Sequence, residues 1–193
     1  MAAVANRQVR TGLRISKRLL LGLGALSLGL AVFAYFADGA EPTLEYEVKA
    51  AFLLNFTKFT EWPPNAFSDP QAPLEICILG KDPFGHALDD VVQGEETNGR
   101  RLAVRRLSVP PVPQTCRVLF VDPEEKGVTK VLDGVGSAVL TVGDGRRFLQ
   151  DGGAIAFVVE NRRVRFDINE TAAEKSGLKL SSKLLSVARE VVK

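Results

Sequence analysis

The side chains able to do chemistry are few, and their spacing limits what they can do. His86 is the chain's one histidine, so the ligands of the usual His/Cys zinc site are lacking. A Ser-His-Asp arrangement would have to use this same histidine with a serine on a strand-to-helix elbow, and no G-x-S-x-G string occurs. Cys-His catalysis would have to recruit Cys77 or Cys116, both beside apolar runs. Gly134-Val135-Gly136 precedes a predicted strand where a phosphate loop would follow one, so no helix N-terminus is offered to a phosphate. No catalytic residue, metal or cofactor is therefore expected, and what remains is binding. Gly143-Asp144-Gly145, followed by Arg146, stands at the carboxyl end of a predicted strand, where open α/β sheets bind ligands; its plainer reading is a tight turn. Arg162, Arg163 and Arg165 offer positive charge to an acidic surface or to solvent. Phe52, Phe56 and Phe59, closed by Trp62, line a core or present a partner-facing groove.

The charges are unevenly placed. Arg7, Arg10, Arg14, Lys17 and Arg18 precede an uncharged run from Leu19 to Ala37, and Asp38, Glu41, Glu45 and Glu47 follow it. Five of the 25 bases and one of the 23 acids lie in residues 1–39, leaving 20 bases against 22 acids in residues 40–193. The sequence pI of about 8.6 thus belongs to the leader, which removes the electrostatic reason to propose nucleic-acid binding. Positive charge before an apolar run keeps the N-terminus cytoplasmic and sends the rest outward. Residues 1–39 read as a signal peptide cleaved near Gly39 or as a retained inner-membrane anchor. Residues 40–193 read as one domain. Cys77 and Cys116 then reach an oxidising compartment, where they bridge or remain as two buried thiols.

The elements that must hold these groups follow from hydrophobic period and turn residues. Thr43 to Thr60 predicts an amphipathic helix with Leu44, Val48, Ala51 or Phe52, Phe56 and Phe59 inward and Lys49 on the surface, ended by Trp62-Pro63-Pro64. Strands are expected at Leu74–Leu79, Leu102–Leu107, Arg117–Val121 and Ala138–Val142. Helices are expected at Pro83–Gln93, capped by Asp82, and from Asp122 to about Val135. Arg146–Gln150 reads as one helical turn. Ala154–Val159 and Arg163–Ile168 predict a hairpin, with Asp167 on its wet face. Asn169 caps a helix ending near Gly177, and Leu178 to Lys193 reads as a final helical stretch. The fold class is α/β: a mostly parallel sheet flanked by helices on both faces, with a C-terminal antiparallel hairpin.

Several strings carry a specific likeness. VKAAFLLNFTKFTEWP (48–63), ICILGKDPFGHALD (76–89), LTVGD (140–144), GGAIAFVVENRRVRFDIN (152–169) and SGLKLSSKLLSVA (176–188) resemble, in order, the segments of the YfiR-like family of periplasmic regulators. The resemblance implies a non-catalytic periplasmic protein that restrains an inner-membrane diguanylate cyclase through its periplasmic sensor part. It also implies sequestration by an outer-membrane lipoprotein, and a homodimer as the common assembly. Cys77 and Cys116 match the positions of a bridge known in that family.

Two other readings compete with a regulator of cyclic-di-GMP signalling. A periplasmic small-ligand carrier would use the strand ends near Gly80 and Gly143–Gly145. An envelope or uptake-associated protein would use its surface alone. For a binding protein the candidate contact residues are Phe59, Trp62, Gly143, Asp144, Arg146, Arg163 and Arg165.

Overall fold

The computed structural model describes residues 43–193; the leader and its cleavage site lie outside them. In chain order the strands are β1 (Thr60–Glu61), β2 (Leu74–Leu79), β3 (Glu96–Thr97), β4 (Arg100–Leu107), β5 (Cys116–Val121), β6 (Leu140–Asp144), β7 (Ile155–Glu160), β8 (Arg163–Asn169), β9 (Lys179–Leu180) and β10 (Glu190–Val192). The helices are α1 (Leu44–Lys58), α2 (His86–Val92), α3 (Val128–Gly134), α4 (Arg146–Gln150), α5 (Glu170–Lys175) and α6 (Ser182–Val187). Eight strands form one sheet in the order β10-β8-β7-β6-β5-β2-β4-β3, and β1 pairs with β9 in a separate ribbon. From β7 across to β4 every neighbouring pair is parallel, and the β7–β8 hairpin is antiparallel. This is the expected fold class.

The middle of the sheet is dry because β2 and β5 are buried along their whole length, as parallel strands covered on both faces must be. Ile76 and Ile78 join the core beneath α1, α2, α5 and α6, whereas Cys77 and Leu79 join the core beneath α3 and α4. Side chains two residues apart thus share a face. Phe52 and Phe56 of α1 meet Phe157 and Phe166 of the hairpin, with ring centroids 5.0–6.0 Å apart. These contacts dock α1 on the sheet. On the other face the Phe148 ring lies directly over Gly143 and Gly153, where any Cβ would collide with it.

Several expectations are corrected. The inward stripe of α1 is Lys49, Ala50, Leu53, Phe56 and Thr57, so Lys49 is buried while Leu44 and Val48 are exposed. Helix α2 begins at His86, after Gly85 in a left-handed φ of 52°; Asp82 instead closes a local turn, accepting from the Phe84 N–H at 2.8 Å. Helix α3 starts at Val128, after Gly127, because Asp122 turns back to accept from the amides of Lys81 and Glu124. The last stretch is not wholly helical. Lys179–Leu180 pairs with β1, and Glu190–Val192 adds β10 in parallel outside β8, so the hairpin lies one strand in from the edge. Asp167 is fully buried, because Arg189 donates to it from both Nε and Nη2.

The slot under Phe148 makes a direct test. Gly153→Ala is expected to destabilise the protein by roughly 1–3 kcal/mol through overpacking. Gly136→Ala, whose Cβ would meet nothing within 4 Å, should change stability by less than about 0.5 kcal/mol. Urea unfolding of both variants measures the difference, and equal midpoints would refute this packing.

Candidate functional site

Three places in this fold gather the residues with binding potential. The first is the central strand pair. Glu75 lies opposite Cys116, but Ile76 lies opposite Val118, so Arg117 is an extra residue in the β5 ladder. Such a bulge changes which way the following side chains face. Here it brings Cys116 to the face of Cys77, and the two form a disulfide with a Cα–Cα distance of 5.9 Å. Both are fully buried. Glu75 lies within 4.8 Å of both sulfurs, yet joined sulfurs are not thiolate ligands. The Glu75 carboxylate is already engaged by the Arg105 guanidinium and the Thr115 hydroxyl, each at 2.7 Å.

The second place is the carboxyl end of the parallel strands. Gly80, at φ 93°, ends β2 against Asp122, and Asp144 ends β6. The Lys49 ammonium sits 2.7 Å from Asp144 and 2.6 Å from Glu45, and 4.2 Å from the centre of the Tyr46 ring. The Tyr46 hydroxyl donates to Asp144 at 3.1 Å. Burial, and then the Asp144 charge, push the Tyr46 pKa well above its ordinary value. A cleft of about 340 Å³ opens beside this cluster, lined by Asp122, Glu125, Asp144, Arg147 and Asp151 among others. Its acidic wall disfavours anionic ligands, and Asp144 already serves α1.

The third place is the outer part of the hairpin. Alternation along β8 puts Arg163, Arg165 and Asp167 on one face. Arg146, at the start of α4, reaches the same face, pairing with Glu190 and lying 4.0 Å from Asp167. The result is an exposed strip of Arg146, Arg163 and Arg165 at the sheet's edge, with a left-handed Asn161-Arg162 turn at its tip.

The candidate residues therefore do not form one site. Arg146, Arg163 and Arg165 share the strip. Gly143 is buried under Phe148, and Asp144 faces Lys49 and Tyr46. Phe59 and Trp62 are half-buried against the core near the β1–β9 ribbon. The Lys183 ammonium lies 5.2 Å from the Phe59 ring, and the Trp62 indole N–H has no hydrogen-bond partner among the described residues. His86 is exposed, 3.9 Å from Asp90. Sequence reasoning missed Lys49, Tyr46 and Arg117. Lys49 shares helical spacing with Leu53, Phe56 and Thr60, a signal masked by its charge. Arg117 showed itself only as a base opening an apolar run.

With this geometry in place, comparison with known families gives one finding. The family model described as YfiR/HmsC-like matches residues 46–189, spanning all three places.

Two outcomes test these arrangements. Reduction of Cys77–Cys116, or its replacement by two alanines, should lower stability by about 4 kcal/mol on the loop-entropy estimate for a separation of 39 residues; unchanged urea midpoints would contradict it. Tyr46 is the one tyrosine outside the leader. Because its folded pKa is raised, its stabilising share is complete below the ordinary tyrosine pKa of about 10 and is lost as pH rises beyond it. In ultraviolet titration its ionisation should lag behind that of the urea-unfolded protein. Stability above that pH should fall less steeply in Tyr46→Phe than in the native protein.

Proposed function

The chain belongs to the YfiR/HmsC-like family, whose members are periplasmic regulators in cyclic-di-GMP signalling rather than enzymes, and on that premise we propose that it restrains an inner-membrane diguanylate cyclase by binding the periplasmic sensor part of that enzyme. The observation that carries this reading is the extent of the match, which runs from α1 through α6 and takes in the disulfide-linked strands. A disulfide in the driest part of the sheet suits an oxidising compartment. In this reading residues 1–39 deliver residues 40–193 across the inner membrane, whether the leader is then cleaved near Gly39 or kept as an anchor.

Restraint of this kind needs no chemistry from the regulator. A protein that binds the resting form of a sensor tenfold more tightly than the active form shifts that equilibrium by about 1.4 kcal/mol. The contact surface must then be stiff and complementary to one state. The strip of Arg146, Arg163 and Arg165 meets the first condition, since two paired strands and α4 hold it, and it offers an acidic partner surface several positive charges. Phe59 and Trp62 provide a separate apolar contact for a lipoprotein or a second copy of the chain.

Deleting the gene should raise cellular cyclic-di-GMP, and the tagged protein should retain a membrane cyclase in a pull-down. Arg163→Glu combined with Arg165→Glu should weaken that capture at least tenfold while leaving the urea midpoint unchanged, because both side chains are exposed. Unaltered cyclic-di-GMP together with no captured cyclase would refute the proposal. Capture that survives the double charge reversal would remove the strip from the interface and leave the cyclase in place.

A further inference from the structure

Arg117 is a buried charge with no acidic oxygen within 4 Å among the described residues. It is 8% exposed and occupies the bulge between β2 and β5. Its Nη1 donates to the carbonyls of Gln114 and Cys116, at 2.8 and 2.7 Å, and its Nη2 donates to the carbonyl of Ala66. Its Nε is buried and has no partner. None of the ion pairs among the described residues includes it. The nearest aromatic ring, Phe67, lies 5.1 Å from this guanidinium and 3.9 Å from that of Arg100, so a second positive charge lies close by. Burial lowers the Arg117 pKa, Arg100 adds to that, and Glu75 works against it. A guanidinium nevertheless stays protonated. Carbonyl dipoles solvate the charge but do not neutralise it, Glu75 is already shared with Arg105 and Thr115, and an incompletely compensated buried ion is costly.

Arg117 is one of the residues lining an open cleft of about 240 Å³ at the amino end of β5, with Asn65, Ala66, Gln114, Ser137 and Val139 among the others; its Nη1 and Nη2 reach the Gln114 and Ala66 carbonyls of that lining. We propose that the cleft is a binding site for a small monocarboxylate, whose oxygens complete the compensation of the Arg117 charge that Glu75, shared with Arg105, leaves partial, while Asn65, Gln114 and Ser137 hold the remainder. Three features select this chemistry. A guanidinium matches the planar fork of a carboxylate. The other polar lining groups are neutral, and the Glu75 carboxylate nearby opposes a second negative charge, so a monoanion is favoured over phosphate. The volume falls below the usual range for drug-sized ligands, roughly 300–1,000 Å³, which favours a short acid. The bulge gives the arrangement its origin, since bulges re-aim side chains beside binding sites. This site lies away from the arginine strip, and the inference does not depend on the cyclase reading.

The rival role for Arg117 is structural, tying the turn at Pro64–Ala66 to β5. Titration of the full protein with sodium propionate, followed at the Arg117 Nε–H resonance, separates the two roles. Propionate should give a saturable shift and raise the urea midpoint, and sodium chloride at equal ionic strength should do neither. Arg117→Gln should abolish the response. Since that change also releases the turn, Asn65→Asp is the decisive variant: it adds a charge at the exposed rim, should weaken propionate binding at least tenfold, and should keep the native midpoint without ligand. Tighter binding of N-acetylalanine than of propionate would identify the carboxylate as a peptide end; the reverse would identify a free acid. Identical responses to propionate and chloride, undiminished binding in Asn65→Asp, or tighter binding of phosphate than of propionate would each overturn the proposal.

Discussion

Pairing of β2 with β5 is the constraint from which the rest of this structure follows. Both strands are buried on both faces, and their register fixes which side chains enter which core. One extra residue, Arg117, shifts that register. On one side of the shift Cys116 faces Cys77; on the other Val118 and Phe120 continue the core under α1 and α2. Without the shift, the cysteine and the aromatic could not both be placed correctly. A single insertion thus makes the cross-link, keeps the hydrophobic pattern and sets a guanidinium among the carbonyls of Ala66, Gln114 and Cys116.

Helix α1 is oriented by a polar contact as much as by its aromatic rings. Phe52 and Phe56 lock into Phe157 and Phe166, which fixes where the helix lies. The rotation about its own axis is settled by Lys49, whose ammonium lies over the Tyr46 ring and reaches Asp144 and Glu45. A long aliphatic stem with a charged tip can be buried when the tip finds a partner. The end of β6 is therefore a fastening point for the N-terminal helix. The corresponding device on the opposite face of the sheet is Asp167, which gathers Arg189 and Arg146 and holds β10 in place.

What could be read from the residues beforehand divides along physical lines. The strands Leu74–Leu79 and Arg117–Val121, the hairpin, the cap at Asn169 and the short helix at Arg146 were all legible, because apolar runs and turn residues act locally. Local signals failed where a distant group decided the outcome. Lys49 looks like a surface residue until Asp144, almost a hundred positions later, is brought beside it. Asp167 looks wet until Arg189 covers it. Val187 to Val192 looks helical because the β8 edge that recruits it is invisible in its own composition. Asp82 and Asp122 resemble helix caps, but their carboxylates are drawn into turns at strand ends. Arg163 and Arg165 were legible as one cluster on the hairpin, whereas Arg146 joins them only because its short helix packs beside Asp167.

Trp62 is the chain's one tryptophan, and its position governs what the molecule reports optically. It sits half-buried beside the β1–β9 ribbon, where the end of α1 meets the segment after α5. Its emission is thus a native lamp for one corner of the protein. A fluorescence trace would follow the loosening of that ribbon, and a circular dichroism trace would follow the sheet; any gap between the two would measure how independently the corner moves.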